Sequence, residues 1–389
     1  MKVVVFYPYD TGDRAFSGGV AKVAVSNVIA VHINGDQPYL LLPKGNTGLI
    51  NYVKEHCPYC EIAALDFQIL ALFSDTKNPF TRLNLILKNM YKFFQGKNKV
   101  KRYLNELNPD VIHFHETIMF PFFSYGGKAK KIIHYHSYPR VSRKILTSME
   151  SNAVNKYIDV ALSPTKSIKD IIQSHINKEI QIIRTPYLDL GTDENVDLTC
   201  KPLEEIKKKG RKIFSFVGRI NSIKRLECCL LAMAKLSKEE LAKMKYVIIG
   251  GCNTAGDENY KKELLNIIET NGLSDSVEFV GYVNPIEKAL PYIDYGVMLT
   301  KSEAMPMVGI EYLRYNIPTI GFDAPGINDY VETGSTGYLI KNGDVDDLAA
   351  AFKGILNGTN LYDFKNTIPQ VFRGYSVESF AKAIDKIYK

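Results

Sequence analysis

Tyr295 to Glu311 read YGVMLTKSEAMPMVGIE, an apolar segment followed by a polar loop and the start of an amphipathic segment. The apolar part predicts a buried strand over Tyr295–Leu299. Pro306 suits the first position of a helix, where its missing N–H costs nothing. A strand that leads through a loop into a helix is the repeating unit of parallel α/β sheets, which bind ligands beyond the carboxyl ends of their strands. We therefore expect function in the loop after Leu299.

The same alternation of short strands and longer amphipathic segments runs through both halves of the chain, whose 389 residues suffice for two domains. Strands are predicted at Val3–Tyr7, Tyr39–Leu42, Val111–His115, Ile132–His136, Val160–Ser163, Ile180–Arg184, Ile213–Val217, Tyr246–Ile249, Val277–Val280, Tyr295–Leu299 and Thr319–Phe322. This cadence predicts an α/β class with two doubly wound parallel sheets. We place an N-terminal domain at 1–187 and a second domain at 188–374. A terminal helix at 375–389 is expected to pack back on the N-terminal domain.

Composition narrows the class of protein. Hydrophobic residues make up 46% and charged residues 23%, which excludes a disordered chain, a collagen and a coiled coil. No apolar run approaches the roughly 20 residues of a membrane span, and Met1-Lys2 leads directly into a strand instead of a signal peptide. The six Cys are scattered, which suits a reducing compartment, so we expect a cytoplasmic protein. A net charge of +7 is compatible with an anionic ligand and too small to indicate nucleic acid.

The positive charge is concentrated in one predicted helix. Between Lys88 and Arg102 the sequence carries six cations and no acid, interleaved with Tyr91, Phe93 and Phe94. A basic helix with aromatic residues beside its charges can lie on an anionic membrane surface, such as the inner face of the cell membrane. The alternative is a solvated helix whose aromatic residues pack inward.

The first candidate site follows the predicted strand Ile213–Val217. Gly218 permits close approach of the backbone to a ligand, and Arg219 and Lys224 place two cations before a helix. This combination suits a diphosphate. The alternative is a pair of solvated surface cations.

The loop after Leu299 offers groups for the same anion. Backbone N–H groups from about Met307 to Gly309 would lie at the helix start, where they have no partner within the helix. Glu311 could accept hydrogen bonds from vicinal hydroxyls such as those of a ribose. Glu303 could stabilise a positively charged, oxocarbenium-like centre. The alternative is that both glutamates only complement the helix dipole.

The Gly-Arg…Lys element and two glutamates separated by seven residues resemble the donor domain of retaining GT-B glycosyltransferases, family GT4 (glycosyltransferase group 1). The resemblance covers about 213–352 well and the N-terminal half loosely. It implies two Rossmann-like domains facing each other across a cleft. It also implies site residues: Arg219, Lys224, Gly218, Met307 and Val308 for the donor diphosphate, Glu311 for the ribose and Glu303 for the donor sugar.

The N-terminal half contains further candidate site residues. Gly18 and Gly19 open a helix after the first strand, where backbone N–H groups could approach a phosphate or the acceptor, or where they form only a helix entry. His115 ends a strand, and the resemblance implies that it reaches the donor sugar. His136 ends the next predicted strand and would face the acceptor, unless it is a buried histidine satisfied by the backbone. Two strand histidines without a further ligand leave a metal site incomplete, so no metal is expected.

Two further motifs do not indicate a site, and two segments differ from the pattern of the family. Cys57-Pro58-Tyr59-Cys60 matches a redox pair but lacks the strand before it and the helix after it that such a pair requires. Asp344-Val345-Asp346-Asp347 has a metal-binding spacing, yet Asp344 more simply caps the next helix. Ala304-Met305-Pro306 replaces the family's commoner Gly-Phe-Gly, and residues 183–187 replace its Pro-Asn-Gly.

The expected function is metal-independent transfer of a sugar, with retention, from a nucleotide diphosphate donor to a glycan, lipid-linked or protein acceptor. The donor, UDP- or GDP-linked, is a co-substrate, and no cofactor is expected. Two rivals remain: a non-catalytic protein that binds sugar nucleotides, and a nucleotide-sugar epimerase on the same fold.

Overall fold

The computed structural model describes residues 1–14, 16, 19–69, 79–137, 144–189, 199–304, 306–359 and 362–389. The chain divides into two compact units. The first contains Met1–Leu188 and Gly374–Lys389, and the second contains Asp189–Arg373. Each is built on its own parallel sheet.

The first unit has a seven-stranded sheet in the order β3-β2-β1-β4-β5-β6-β7, with every neighbouring pair parallel. Its strands are β1 Lys2–Phe6, β2 Gln37–Pro43, β3 Glu61–Leu65, β4 Val111–His115, β5 Lys130–His134, β6 Val160–Ser163 and β7 Ile180–Ile182. Its helices are α1 Gly19–Ile33, α2 Thr47–His56, α3 Pro79–Leu107, α4 Lys144–Tyr157 and α5 Lys166–Gln173, together with the C-terminal helix α13 Val377–Tyr388.

The second unit has a six-stranded parallel sheet in the order β10-β9-β8-β11-β12-β13. Its strands are β8 Lys212–Val217, β9 Met244–Ile249, β10 Val277–Gly281, β11 Tyr295–Met298, β12 Thr319–Phe322 and β13 Gly337–Ile340. Its helices are α6 Lys201–Lys208, α7 Leu226–Met233, α8 Lys238–Ala242, α9 Ala255–Thr270, α10 Met307–Arg314, α11 Val345–Leu356 and α12 Phe364–Phe372. In both sheets the strand order reverses at the centre, and this is where such folds bind ligands.

The C-terminal helix α13 completes the core of the first unit. Phe380, Ile384 and Ile387 are buried against Val3 of the central strand β1 and Val31 of α1. Ser376 caps the helix by accepting a hydrogen bond from the backbone N–H of Ser379 over 3.1 Å. The last turn of the chain therefore lies under the centre of the first sheet.

Truncating the centre of this contact should destabilise the first unit. We expect Ile384→Ala to lower its free energy of unfolding by about 2 to 5 kcal/mol, because a fully buried side chain is replaced by a cavity. Urea unfolding followed by circular dichroism measures the change. Lys382→Ala, at an exposed position of the same helix, is the matched control and should change it by less than about 0.5 kcal/mol. Equal effects of the two substitutions would contradict the packing.

Candidate active site

The carboxyl ends of β8 and β9 approach each other closely. A side-chain carbon at Gly250 would lie 1.9 Å from the backbone oxygen of Gly218, so glycine is required there. The N–H of Gly218 donates to the Ile249 carbonyl over 2.9 Å, and that of Gly250 donates to the Gly281 carbonyl over 2.7 Å. Gly218 thus directly follows β8 with its backbone fixed by the neighbouring strand, and the two cations come after it.

Lys224 lies at the end of a short 3-10 turn, Ser222–Lys224, and forms an ion pair with Glu303. Only 24% of the lysine side chain and 20% of the glutamate side chain are exposed. Burial, and secondarily the charge of Arg219, lower the pKa of Lys224 to about 8. The structure therefore brings together two residues that lie far apart in the sequence and that were assigned separate roles there.

Backbone contacts hold these two loops together. The N–H of Lys301 donates to the Ile223 carbonyl over 3.0 Å, and the Thr300 hydroxyl donates to the same oxygen over 3.3 Å. Since β8 and β11 are neighbours in the sheet, their loops leave the same edge. The Lys224–Glu303 pair is therefore fixed by the fold rather than by side-chain length alone.

A third loop supports Glu303 from the other side. The N–H of Glu303 donates to the Pro325 carbonyl over 2.9 Å. Gly326 has a φ of +84°, and a side-chain carbon there would lie 1.7 Å from the backbone oxygen of Glu303. Sequence reasoning assigned no role to this glycine, although a Pro-Gly pair after a strand marks a tight turn.

Arg219 lies nearby with its side chain about half exposed. Its Nε is 3.8 Å from Oδ2 of Asp257, which belongs to the capping box of α9 together with Thr254. The backbone N–H of Asn253 donates to Asp257 and is the main cause of the lowered pKa of that carboxyl. Asp257 is therefore charged and orients Arg219, which has further N–H groups for an anion.

The helix α10 begins at Met307, one residue later than predicted, because Pro306 has an extended ψ of 113° and is its N-cap. The N–H of Gly309 donates to the Pro306 carbonyl over 3.0 Å, so the prediction that it faces an anion is wrong. Met307 and Val308 keep N–H groups without an acceptor in the helix. Glu311 is buried on this helix with 7% of its surface exposed. Met305 lies outside the described residues.

The first unit contains a buried cluster of four histidines. His113 and His115 lie on β4, His134 ends β5, and His136 follows two residues later, so the prediction that His136 ends this strand is wrong. The first three are fully buried, and only His136 is partly exposed. Burial lowers the pKa of His113 and of His115 well below the usual value, and that of His134 to about 3. These imidazoles are therefore neutral at pH 7.

A chain of hydrogen bonds fixes the orientation of this cluster. The Tyr388 hydroxyl donates to Oδ1 of Asn27 over 2.8 Å, so the Asn27 amide faces Nε2 of His115 at 3.3 Å. Nδ1 of His115 then carries the proton and donates to Nε2 of His136 over 2.9 Å. Both ring nitrogens of His115 are thus engaged within the first unit, and His136 is the more accessible ring. Asn27 and Tyr388 were not predicted as part of this cluster, because no sequence motif surrounds either residue.

The remaining candidates are placed as follows. Gly19 is the first residue of α1, and Gly18 lies outside the described residues. Asp344 caps α11 as predicted. Its side chain accepts hydrogen bonds from the backbone N–H groups of Asp346 and Asp347, at 3.1 and 3.0 Å.

The pKa values of Cys57 and Cys60 are raised by burial, that of Cys60 to about 12, which disfavours thiolate chemistry.

Comparison with known proteins agrees with this geometry. Residues 202–365, which include all the charged groups of the second unit's site, match the family model of the glycosyl transferases group 1. This segment of the chain is similar to that family. The fold is GT-B, shared over the whole chain with the Anabaena protein HepE, solved in complex with UDP, at a TM-score of 0.72 and 14% identity, covering 99% of that chain.

Two curated relatives are 24% identical to this chain over the aligned residues. One is the alpha-monoglucosyldiacylglycerol synthase of Streptococcus pneumoniae, matched over 73% of this chain and 61% of the relative. The other is the N-acetyl-alpha-D-glucosaminyl L-malate synthase of Bacillus anthracis, matched over 67% and 71%. The chain thus spans between about three fifths and seven tenths of these relatives. Among its described residues, no helix is long and apolar enough to cross a bilayer.

Proposed function

We propose that this protein is a glycosyltransferase that moves a hexosyl group from a nucleotide diphosphate donor to a glycan, lipid-linked or protein acceptor, with retention and without a metal. The observation that carries the proposal is the Lys224–Glu303 pair, held partly buried beside the start of α10. A buried cation next to a carboxylate, at the ligand-binding edge of a parallel sheet, suits a substrate that carries both a diphosphate and an electron-poor sugar carbon.

The donor diphosphate is bound by Arg219, Lys224 and the N–H groups of Met307 and Val308, with Gly218 allowing close approach. Glu311 accepts hydrogen bonds from the ribose hydroxyls. A uridine nucleotide is favoured over GDP because HepE was solved with UDP and also with UDP-glucose. Because HepE resembles this chain in fold, the donor screen first tests whether the nucleotide base is uracil or guanine.

The transfer step needs no protein nucleophile. The bond between the anomeric carbon and the β-phosphate oxygen breaks, and its electron pair stays on the phosphate. The acceptor hydroxyl attacks the same face of the sugar and gives its proton to that departing oxygen. Arg219 and Lys224 offset the charge that grows on the diphosphate, and Glu303 stabilises the oxocarbenium-like sugar.

The first unit contributes the histidine pair. His115 holds His136 in one tautomer, and His136, the partly exposed ring, meets the sugar or the acceptor. Direct contact of His115 with the sugar, as the family resemblance implies, would require it to leave Asn27 or His136. Gly19, the first residue of α1, and Gly18, which precedes it in the sequence, are proposed to approach a phosphate or the acceptor.

The decisive experiment is a donor screen that measures released UDP or GDP with lipid-linked and soluble acceptors, followed by mass spectrometry of the products. We expect donor-dependent release together with a glycosylated acceptor, in the presence of EDTA. Tight donor binding with no release would favour the non-catalytic rival. Conversion of the donor to an isomer without an acceptor would favour an epimerase.

The pH dependence should report the charge of Lys224. Its pKa is lowered to about 8, chiefly because burial disfavours the charged ammonium group. We expect kcat/KM to fall about tenfold per pH unit above about pH 8, since the uncharged amine no longer binds the diphosphate. Lys224→Arg should move this decline to higher pH, because guanidinium does not titrate there. An unchanged profile in that variant would exclude Lys224 as the titrating group.

We further propose that the protein is cytoplasmic and binds peripherally to an anionic membrane through α3. Tyr91 and Phe94 are 65% and 54% exposed on this helix, beside the exposed cations Lys88 and Lys92. Phe93 instead packs inward, with 3% exposed. Exposed aromatic residues beside lysines can enter the interface of an anionic bilayer.

Vesicle binding tests this surface. We expect the protein to co-sediment with phosphatidylglycerol vesicles and not with phosphatidylcholine vesicles. The double variant Lys88→Ala/Lys92→Ala should bind about 30-fold more weakly, at about 1 kcal/mol per lysine. The matched control Lys238→Ala/Lys243→Ala removes the same charge from exposed positions of the second unit. An equal loss in both variants would mean that net charge, not α3, drives binding.

A further inference from the structure

The hydroxyl of Tyr388 joins two hydrogen-bond chains in the interior of the first unit. It donates to Oδ1 of Asn27 over 2.8 Å and accepts from Nδ1 of His113 over 2.8 Å. The side chain is 3% exposed, and burial raises the pKa of the hydroxyl, which therefore keeps its proton at neutral pH. Because a hydroxyl has one proton, its direction in one chain fixes its direction in the other. Phenylalanine would fill this core position without a polar atom, so packing alone does not require the hydroxyl.

The first chain leads from Asn27 to the partly exposed ring of His136. Since the hydroxyl of Tyr388 occupies Oδ1 of Asn27, the amide nitrogen faces Nε2 of His115 at 3.3 Å. Nδ1 of His115 then donates to Nε2 of His136 over 2.9 Å, between rings that are parallel to within 4°. Burial lowers the pKa of His136 well below the usual value, so this ring is uncharged at neutral pH. Its single ring proton is therefore on Nδ1.

The second chain favours this direction over the reverse one. Because the hydroxyl accepts from His113, Nε2 of His113 has a lone pair and accepts from Nδ1 of His134 at 3.3 Å. Nε2 of His134 is then unprotonated, and it is buried with no partner among the described residues. In the reverse arrangement each ring proton would lie on the other nitrogen, and Nε2 of His134 would be a buried N–H without an acceptor. Such orphaned donors are rarer in proteins than unsatisfied acceptors.

We propose that Tyr388 is a positioning residue that acts through Asn27 and His115 on His136, so that His136 presents an N–H donor to an oxygen of the bound substrate. This inference rests on the proposed function, which supplies the sugar or the acceptor as that substrate. It also limits the role of His136, because a nitrogen that already carries a proton cannot remove one from the acceptor hydroxyl. The proposed transfer of that proton to the departing phosphate oxygen needs no such base.

Nitrogen NMR tests the direction of the chain without any substrate. The protein has seven histidines, few enough for isotope-labelled histidine to give separate ring signals in a long-range proton–nitrogen spectrum. Protonated and unprotonated ring nitrogens differ in chemical shift, and the signals that disappear in His136→Gln are those of His136. In the unsubstituted protein at pH 7 we expect a proton on Nδ1 of His136 and none on Nε2. A proton on Nε2 would overturn the proposal, whether or not any further variant folds.

Tyr388→Phe removes the hydroxyl and keeps the ring. Neither Asn27 nor His113 is then oriented by a shared proton, so we expect signals of both tautomers of His136. We also expect kcat/KM to fall about three- to tenfold, the usual range for one hydrogen bond. Tyr7→Phe is the matched control, because the hydroxyl of Tyr7 is buried in the same unit and has no partner among the described residues. It should change neither the tautomer nor kcat/KM.

The two measurements separate this inference from the proposed function. Both tautomers in Tyr388→Phe but not in Tyr7→Phe, together with the lower kcat/KM, support the inference. A single tautomer that persists in Tyr388→Phe would overturn it, as would a mixture of tautomers with unchanged kcat/KM. Absence of transfer from every donor would contradict the proposed function, and the spectra, recorded without donor, would still decide whether Tyr388 sets the tautomer of His136.

Discussion

Lys224→Ala should lower kcat/KM by about 10²- to 10³-fold while the protein still folds. The proposed transition state places growing negative charge on the diphosphate, and removal of one preorganised donor to such a charge typically costs that much. Lys224 is well suited to this role because burial in the loop after β8 makes its charge act in a medium that screens weakly. Initial rates of nucleotide release, measured at saturating acceptor, give the change.

The control separates the loss of a donor from the loss of an ion pair. Lys224→Ala leaves Glu303 without this partner, so Lys224→Gln is made alongside to retain side-chain volume and a weaker donor. Lys235→Ala breaks the exposed pair with Asp346 elsewhere in the second unit and should change kcat/KM less than about twofold. Near-native rates in folded Lys224 variants would remove the diphosphate site from this loop.

Gly326→Ala should lower kcat by about 100-fold or more without touching any charged group. The new methyl group would lie 1.7 Å from the backbone oxygen of Glu303, so the loop that holds this glutamate must move. A displacement of about 1 Å at a positioned group can cost that much in rate. The rate assay that tests Lys224 measures this variant too, with circular dichroism to confirm the fold.

Gly358→Ala is the matched control for backbone conformation. Gly358 has a φ of +70°, close to the +84° of Gly326, but an added side-chain carbon there meets no atom within 4 Å. In both variants an alanine must adopt the strained left-handed backbone conformation, but only Gly326→Ala displaces Glu303. Similar rates for the two variants would show that the turn of Gly326 does not position the site.

The sequence pattern predicts the interior of each sheet well and its margins less well. Residues 111–115, 160–163 and 319–322 form strands with the predicted bounds. The strands β3 and β13 were missed, and both lie at the edge of a sheet. An edge strand pairs on one side only, so its extent is set by the one neighbour with which it pairs.

Local structure could also be predicted where it depends on residues that are close together in the chain. Asp344 was predicted as an N-cap, and its side chain accepts the expected hydrogen bonds. The start of α10 was predicted to within one residue, yet the use of the Gly309 N–H by Pro306 was not foreseen. Proline leaves both arrangements open, since it can be the first helical residue or the cap before it.

By itself the sequence determined the α/β class, the resemblance to a family and the identity of the charged residues, because these depend on periodicity and on groups close together in the chain. Tertiary structure alone decided which of these groups meet. Lys224 pairs with Glu303 because β8 and β11 are neighbours in the sheet, and Tyr388 reaches Asn27 because α13 packs on α1. Such contacts join residues 79 and 361 positions apart, and no local pattern encodes them.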